Sequence, residues 1–209
     1  MDSDALVVPM FPLGTVLVPY ALLPLHVFEP RYRLMTRHVL DGDNEFGVVL
    51  IERGSEVGGG DVRFDVGTMA RVVQAAELTD GRFALQTVGL HRIRVVRWLD
   101  DDPYPRAEVV DVPEPAADPS AAADGRERVV AALNDVVEVA RRIDERVPDA
   151  PMLDADPARA AYEATAIAPI GPLDAQRILE LPDAVARLDA LAVLLVERAE
   201  ELRARFGLD

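Results

Sequence analysis

The chain has 209 residues, of which 50% are hydrophobic and 28% are charged, and its 37 acidic and 22 basic side chains give a net charge of −15. This composition is typical of a globular protein that can bury a core, but the acidic charge disfavours nucleic-acid binding, which depends on neutralising phosphates. Cysteine and lysine are both absent from the sequence, which excludes disulfides, thiolate metal sites and the Gly-Lys-Ser/Thr phosphate loop of nucleotide hydrolases.

The first half of the chain is predicted to form short strands around one early helix. Residues 6–13 and 15–18 are predicted strands, and alternating apolar side chains at 23–27 predict a third. Pro30 fits the first position of a helix, because its fixed φ suits that position and its absent N–H is not needed there. Gly42 is the predicted end of this helix. The stretch therefore predicts a strand that runs directly into a helix.

Turn signals separate the remaining strands of the first half. The triple glycine Gly58, Gly59 and Gly60 predicts a flexible hairpin tip after an apolar strand at 45–53, and Asp80-Gly81 predicts a tight hairpin turn. Further strands are predicted at 62–66, 67–78, 83–88, 92–99 and 104–112. Many short strands with one helix favour a compact barrel or sandwich.

The second half of the chain is predicted to be helical. Proline and alanine dominate residues 114–123, which are predicted to link a β-rich domain at 1–113 to an α-helical domain at 124–209. Apolar residues then recur at steps of three and four. These steps predict one helix before Pro148, a second from Pro157, a short third capped by Asp174, and a fourth and longest capped by Asp183. The last helix packs on its own bundle or projects its end to another molecule.

Three motifs near the start of the chain carry a family resemblance. They are Phe11-Pro12-Leu13-Gly14, the segment at 23–32 and Phe46-Gly47-Val48-Val49-Leu50. With later segments in matching order up to 164–191, they resemble the N-terminal substrate-binding domain of Lon proteases over nearly the whole chain. The resemblance implies an α+β fold, in which a PUA-like β-barrel or sandwich with one early helix precedes an α-helical bundle that ends in a long helix. It also implies a stand-alone form without the ATPase and protease domains.

By this resemblance, the protein is expected to be a non-catalytic module that binds polypeptide, in the role of an adaptor or chaperone-like factor. Expected partners are unfolded or partly folded polypeptides, with a separate protease or chaperone as a further candidate. Lon proteases cleave with a Ser–Lys dyad, which a chain without lysine cannot form. An apolar client requires an apolar surface on the β-rich domain. The candidate binding residues are Leu23, Leu25, Phe28, Arg31, Tyr32, Gly58, Gly59 and Gly60.

Other readings of the sequence remain as alternatives. Phe28 and Tyr32 are also candidates to anchor the early helix on the sheet. A PUA-like protein could bind nucleic acid through Arg92, Arg94 and Arg97, although Arg92 and Arg94 are expected on the solvent side of a strand. An unrecognised hydrolase is the third reading, but no serine lies at a strand-to-helix elbow.

No cofactor or metal site is expected. His26, His38 and His91 lack the close spacing of metal ligands, and the run Asp100-Asp101-Asp102 precedes a turn at a proline rather than a cation site. No signal peptide or bilayer-spanning run is visible, so we expect a cytoplasmic protein that is a monomer or a weak homodimer.

Overall fold

The computed structural model describes residues 5–54 and 62–208 of the chain. The described residues contain six strands and five helices. They divide into two compact units, Met1–Pro113 and Glu114–Asp209. The first unit holds the sheet and one helix, and the second holds four helices, so the predicted α+β class is confirmed. Within the described part, no helix is both long enough and apolar enough to span a membrane.

The first unit is a partly closed barrel. Its elements are β1 (Leu6–Leu13), β2 (Leu22–Val27), α1 (Pro30–Asp41), β3 (Glu45–Arg53), β4 (Val62–Glu77), β5 (Phe83–Trp98) and β6 (Arg106–Asp111). The strands follow the order β2-β5-β4-β3-β1-β6, and β6 also pairs with β5. Five strands therefore close a ring, while β2 lies outside it and pairs with the first half of β5. The β1–β3 pair is parallel, and the other pairs are antiparallel.

The long strands β4 and β5 differ from the sequence prediction. Each has 16 residues where two shorter strands were predicted, and the predicted strand at 15–18 is absent from the described structure. Strand β4 pairs with β3 and β5, and β5 pairs with β2, β4 and β6. Local sequence cannot reveal these pairings. A Cβ on Gly67 would lie 2.2 Å from the carbonyl oxygen of Val48, and one on Gly89 would lie 2.3 Å from that of Val18. Glycine permits these close approaches.

Helix α1 follows the predicted pattern. It begins at Pro30 and buries Tyr32, Met35 and Val39 against the sheet. It ends at Gly42, whose N–H donates to the carbonyl of Val39 at 3.2 Å. Gly42 has a φ of −107°, so it is not the left-handed cap that the sequence predicts.

The second unit is a four-helix bundle. Its helices are α2 (Pro119–Ile143), α3 (Pro157–Ile167), α4 (Pro172–Glu180) and α5 (Ala184–Phe206). Helix α2 begins inside the predicted linker and, at 25 residues, is longer than α5 with 23. Asp183 caps α5 as predicted, whereas Gly171 rather than Asp174 caps α4.

Helix α5 packs mainly within its own bundle. Leu188, Leu191 and Leu195 are fully buried in one core with residues of α2, α3 and α4. Near the end of the helix Phe206 is 48% exposed. Most of the predicted apolar stripe therefore serves the internal core, and only the last turn faces outward.

Candidate functional site

Strand β2 forms an edge of the sheet in the first unit. Its six residues pair with β5 from Leu22 opposite Val88 to Val27 opposite Phe83. Among the residues that the structure describes, no strand pairs with the other side of β2. The strand therefore presents one free edge and two faces.

The two faces of β2 have different surroundings. Leu23, Leu25 and Val27 face the core beneath α1, where Leu23 and Leu25 are partly buried and Val27 is buried. Directly opposite residues in a sheet share a face, so the register defines the other side as well. We call this side the outer face, and it consists of Leu22, Pro24 and His26 on β2, Ala84, Gln86 and Val88 on β5, and Arg71, Gln74 and Ala76 on β4.

The outer face carries no carboxylate, and Arg71 at its rim is its one charged side chain, although 28% of the chain is charged. Eight of its nine residues are exposed and Val88 is partly buried. Leu22 is 71% exposed, the largest exposure of any strand residue among the exposed large hydrophobic side chains. At the rim, the guanidinium of Arg71 donates from its Nε to Glu45 at 3.0 Å, so its charge is paired locally. The arrangement suits an apolar or amide-bearing ligand, because the one guanidinium on the face is already bonded to a carboxylate.

The residues predicted to bind polypeptide lie in different environments in the structure. Phe28 follows β2 and is 52% exposed. Arg31 is half-buried, bonds to Glu29 at 3.2 Å and lies 3.8 Å from a carboxylate oxygen of Asp101. Tyr32 is 3% exposed, so its prediction as a binding residue is wrong.

Tyr32 is buried because α1 directs its ring into the core. The ring stacks on Phe11 with 4.2 Å between centroids, and the Arg31 guanidinium covers it at 4.5 Å. Leu23 and Leu25 are partly buried in the core, so only part of each side chain is accessible to a client. The predicted contribution of Gly58, Gly59 and Gly60 lies outside the described residues.

None of the outer-face residues was among the predicted binding residues. Residues 83–88 alternate between buried and exposed positions, and this alternation was visible in the sequence. Their pairing with residues 22–27 was not visible, because it joins segments about sixty residues apart. The face exists only through that pairing.

The alternative nucleic-acid site is not assembled as predicted. Arg92 is 3% exposed because it pairs with Thr68 on the buried side of the sheet, so its expected exposure to solvent is wrong. Arg97 is bound to Glu108, and this hydrogen bond lowers the pKa of the Glu108 carboxyl. Of the three arginines, Arg94 alone is both exposed and outside such a pair in the described residues.

Histidines and aspartates do not converge on a metal site in the described residues. Nδ1 of His38 lies 2.8 Å from the hydroxyl of Tyr104, and Nε2 of His91 lies 3.0 Å from a carboxylate oxygen of Asp111. His26 belongs to the outer face. The three imidazoles therefore have different neighbours and do not form one cluster among the described residues.

Comparison with known proteins assigns the family. The family model described as the ATP-dependent protease La (LON) substrate-binding domain matches residues 7–197. The chain belongs to this family. It is 28% identical to Lon protease from Koribacter versatilis over 95% of the chain and 25% of the relative, and 26% identical to Lon protease from Escherichia coli K12 over 96% and 26%. It thus spans about a quarter of the length of these relatives.

Solved structures support the fold. A Lon N-terminal domain protein from Xanthomonas campestris has a TM-score of 0.64 and 24% identity, over 90% of this chain and 98% of that one. The N-terminal domain of a Mycobacterium avium complex Lon protease has a TM-score of 0.62 and 17% identity, over 93% and 98%. The predicted resemblance is confirmed, and the match covers the substrate-binding domain rather than catalytic domains.

Proposed function

We propose that the first unit binds unfolded or partly folded polypeptide on the outer face without cleaving it. The family is defined by substrate binding, and the outer face is the observation that carries the proposal. It is exposed, carries no charged side chain except Arg71, which is paired with Glu45, and is built on three paired strands. Phe28, half-exposed beyond β2, extends the apolar surface.

The binding is expected to be weak. Burial of apolar surface stabilises a complex by about 25 cal/mol per Å², but ordering an extended client offsets much of that gain. We expect a dissociation constant of roughly 1–100 µM on this basis. Salt should change it little, because the one charged side chain on the face, Arg71, is already paired with Glu45 and salt screens free charges most strongly.

Weak binding suits a module that releases its client. In this proposal the protein acts as an adaptor or chaperone-like factor that holds a client for a separate protease or chaperone. One face is enough for such capture, so a monomer or weak homodimer suffices. The catalytic step belongs to the partner.

The test is a binding titration with casein as the unfolded client, with the full chain and two variants. Leu22→Glu places a charge on the outer face and should weaken binding about tenfold or more, because the carboxylate loses water without gaining a partner. Val96→Glu is the matched control, since Val96 is 49% exposed on β5 outside the outer face. Equal affinity of the two variants would contradict the proposal.

A further inference from the structure

The free edge of β2 carries a proline at its centre. The carbonyls of Ala21 and Leu23 point towards β5, where they accept hydrogen bonds from the N–H of Gly89 at 3.0 Å and the hydroxyl of Thr87 at 2.7 Å. Successive residues of a strand direct their backbone groups to opposite sides. The backbone groups of Pro24 therefore point to the free edge, and Pro24 has no N–H to donate there.

This proline closes the edge to strand addition. Strand β2 has six residues, and only Leu22, Pro24 and His26 direct backbone groups outward. Pro24 keeps its outward carbonyl, but without the middle donor an added strand could accept hydrogen bonds only from the N–H groups of the two outer positions. Edge strands of natural proteins use proline in this way to prevent pairing with other chains. The closure applies equally to a client and to a second copy of the protein.

We propose that clients lie across the outer face and are recognised through side chains, not added to β2 as an extra strand. This inference rests on the proposed function and names its ligand class. The ligands are extended, uncharged polypeptide segments, including segments in which proline or another blocked nitrogen interrupts the backbone donors. Such segments are poor edge strands, but a face that does not use their N–H groups accepts them.

Two glutamines at the centre of the face fit this ligand class. Gln74 and Gln86 are directly opposite each other in the β4–β5 register, and Pro24 is opposite Gln86 on the other side. Both glutamine side chains are exposed. Their amide N–H groups can donate to client carbonyls, which every extended segment retains, proline-containing segments included. A charged client side chain would find no unpaired counter-charge among these residues and would lose hydration.

The test compares an uncharged apolar peptide with two versions that carry backbone N-methyl groups on alternate residues, one for each register. N-methylation removes the donors that a β-ladder needs and leaves the side chains unchanged. For the full chain we expect all three dissociation constants to agree within about threefold. A loss of about tenfold or more for one register would show edge addition and overturn the inference, while the proposed function would stand. Failure of all three peptides to bind would contradict the proposed function and the inference together.

A variant adds the reverse test. Pro24→Val restores the missing edge donor, and His26→Val is the control, because it introduces the same side chain on the same edge without changing a backbone donor. The Pro24→Val variant should bind the unmethylated peptide at least about threefold more tightly than either N-methylated peptide. Alternatively, it should self-associate at a lower concentration than the unsubstituted protein. His26→Val should do neither. If Pro24→Val matched His26→Val in both respects, proline would not be what closes the edge.

Discussion

At the scale of single residues, two aromatic side chains four positions apart have opposite roles. Phe28 lies between β2 and α1 and is 52% exposed, whereas Tyr32 is the third residue of α1 and is 3% exposed. Both belong to one motif, and both were predicted as candidate binding residues. Tyr32 is buried because the helix directs its ring onto Phe11.

The two residues should therefore respond differently to truncation. Tyr32→Ala should lower the free energy of unfolding by about 3–5 kcal/mol, as buried aromatic truncations do. Phe28→Ala should change it by less than about 1 kcal/mol, because half of its side chain is already in solvent. Chemical denaturation of both variants measures the difference. A large loss for Phe28→Ala would show that its ring is packed in solution.

The contrast explains how much of the site was predictable. Helix α1 was predicted correctly from Pro30 to its end, because its signals are local: a proline at the first position and apolar residues at helical spacing. The outer face was not predicted, because Gln86 becomes its centre only after β5 pairs with both β2 and β4. Arg92 was misplaced for the same reason, since its face depends on a register shift between β4 and β5.

At the scale of elements, one close approach joins β3 to β4. A Cβ at Gly67 would lie 2.2 Å from the Val48 carbonyl oxygen, and a backbone atom cannot rotate away as a side chain can. Gly67→Ala should cost about 3 kcal/mol, the upper part of the range for overpacking. Gly171→Ala is the control, because nothing lies within 4 Å of its Cβ; its cost should be no more than about 1 kcal/mol. Equal thermal midpoints would contradict the observed strand packing.

A buried ion pair ties the start of the second unit to α5. Arg187 is fully buried, donates to the Leu181 carbonyl at 3.0 Å and to Glu114, and covers the ring of Tyr162 at 4.6 Å. Residue 114 was predicted to be linker, but its carboxylate is bound to the helical core. Sequence spacing could not show this pairing across 73 positions.

Removing the carboxylate should leave the buried guanidinium without its counter-charge. Glu114→Gln should cost about 2–4 kcal/mol, somewhat less than for a fully buried pair, because the Glu114 side chain is 31% exposed. Asp174→Asn is the control, since its partner Arg177 is 76% exposed whereas Arg187 is fully buried, and it should cost less than about 1 kcal/mol. Denaturant titration measures the free energy of unfolding of both variants. Similar losses would show that burial does not strengthen the Glu114–Arg187 pair.

At the scale of the whole molecule, charge separates the proposed client from nucleic acid. With a net charge of −15, we expect no saturable binding to RNA or duplex DNA in the micromolar range at about 0.15 M salt. Fluorescence anisotropy with labelled oligonucleotides measures this directly. Tight binding with a steep dependence on salt would favour the nucleic-acid alternative and Arg94.

The central claim is that the outer face holds unfolded polypeptide, and an NMR titration of the full chain with casein tests it most directly. The account predicts that amide shifts concentrate at residues 22–28, 74–76 and 84–88. Their midpoint should fall at roughly 1–100 µM client. Absence of shifts at millimolar client, or shifts confined to the helices of the second unit, would contradict it.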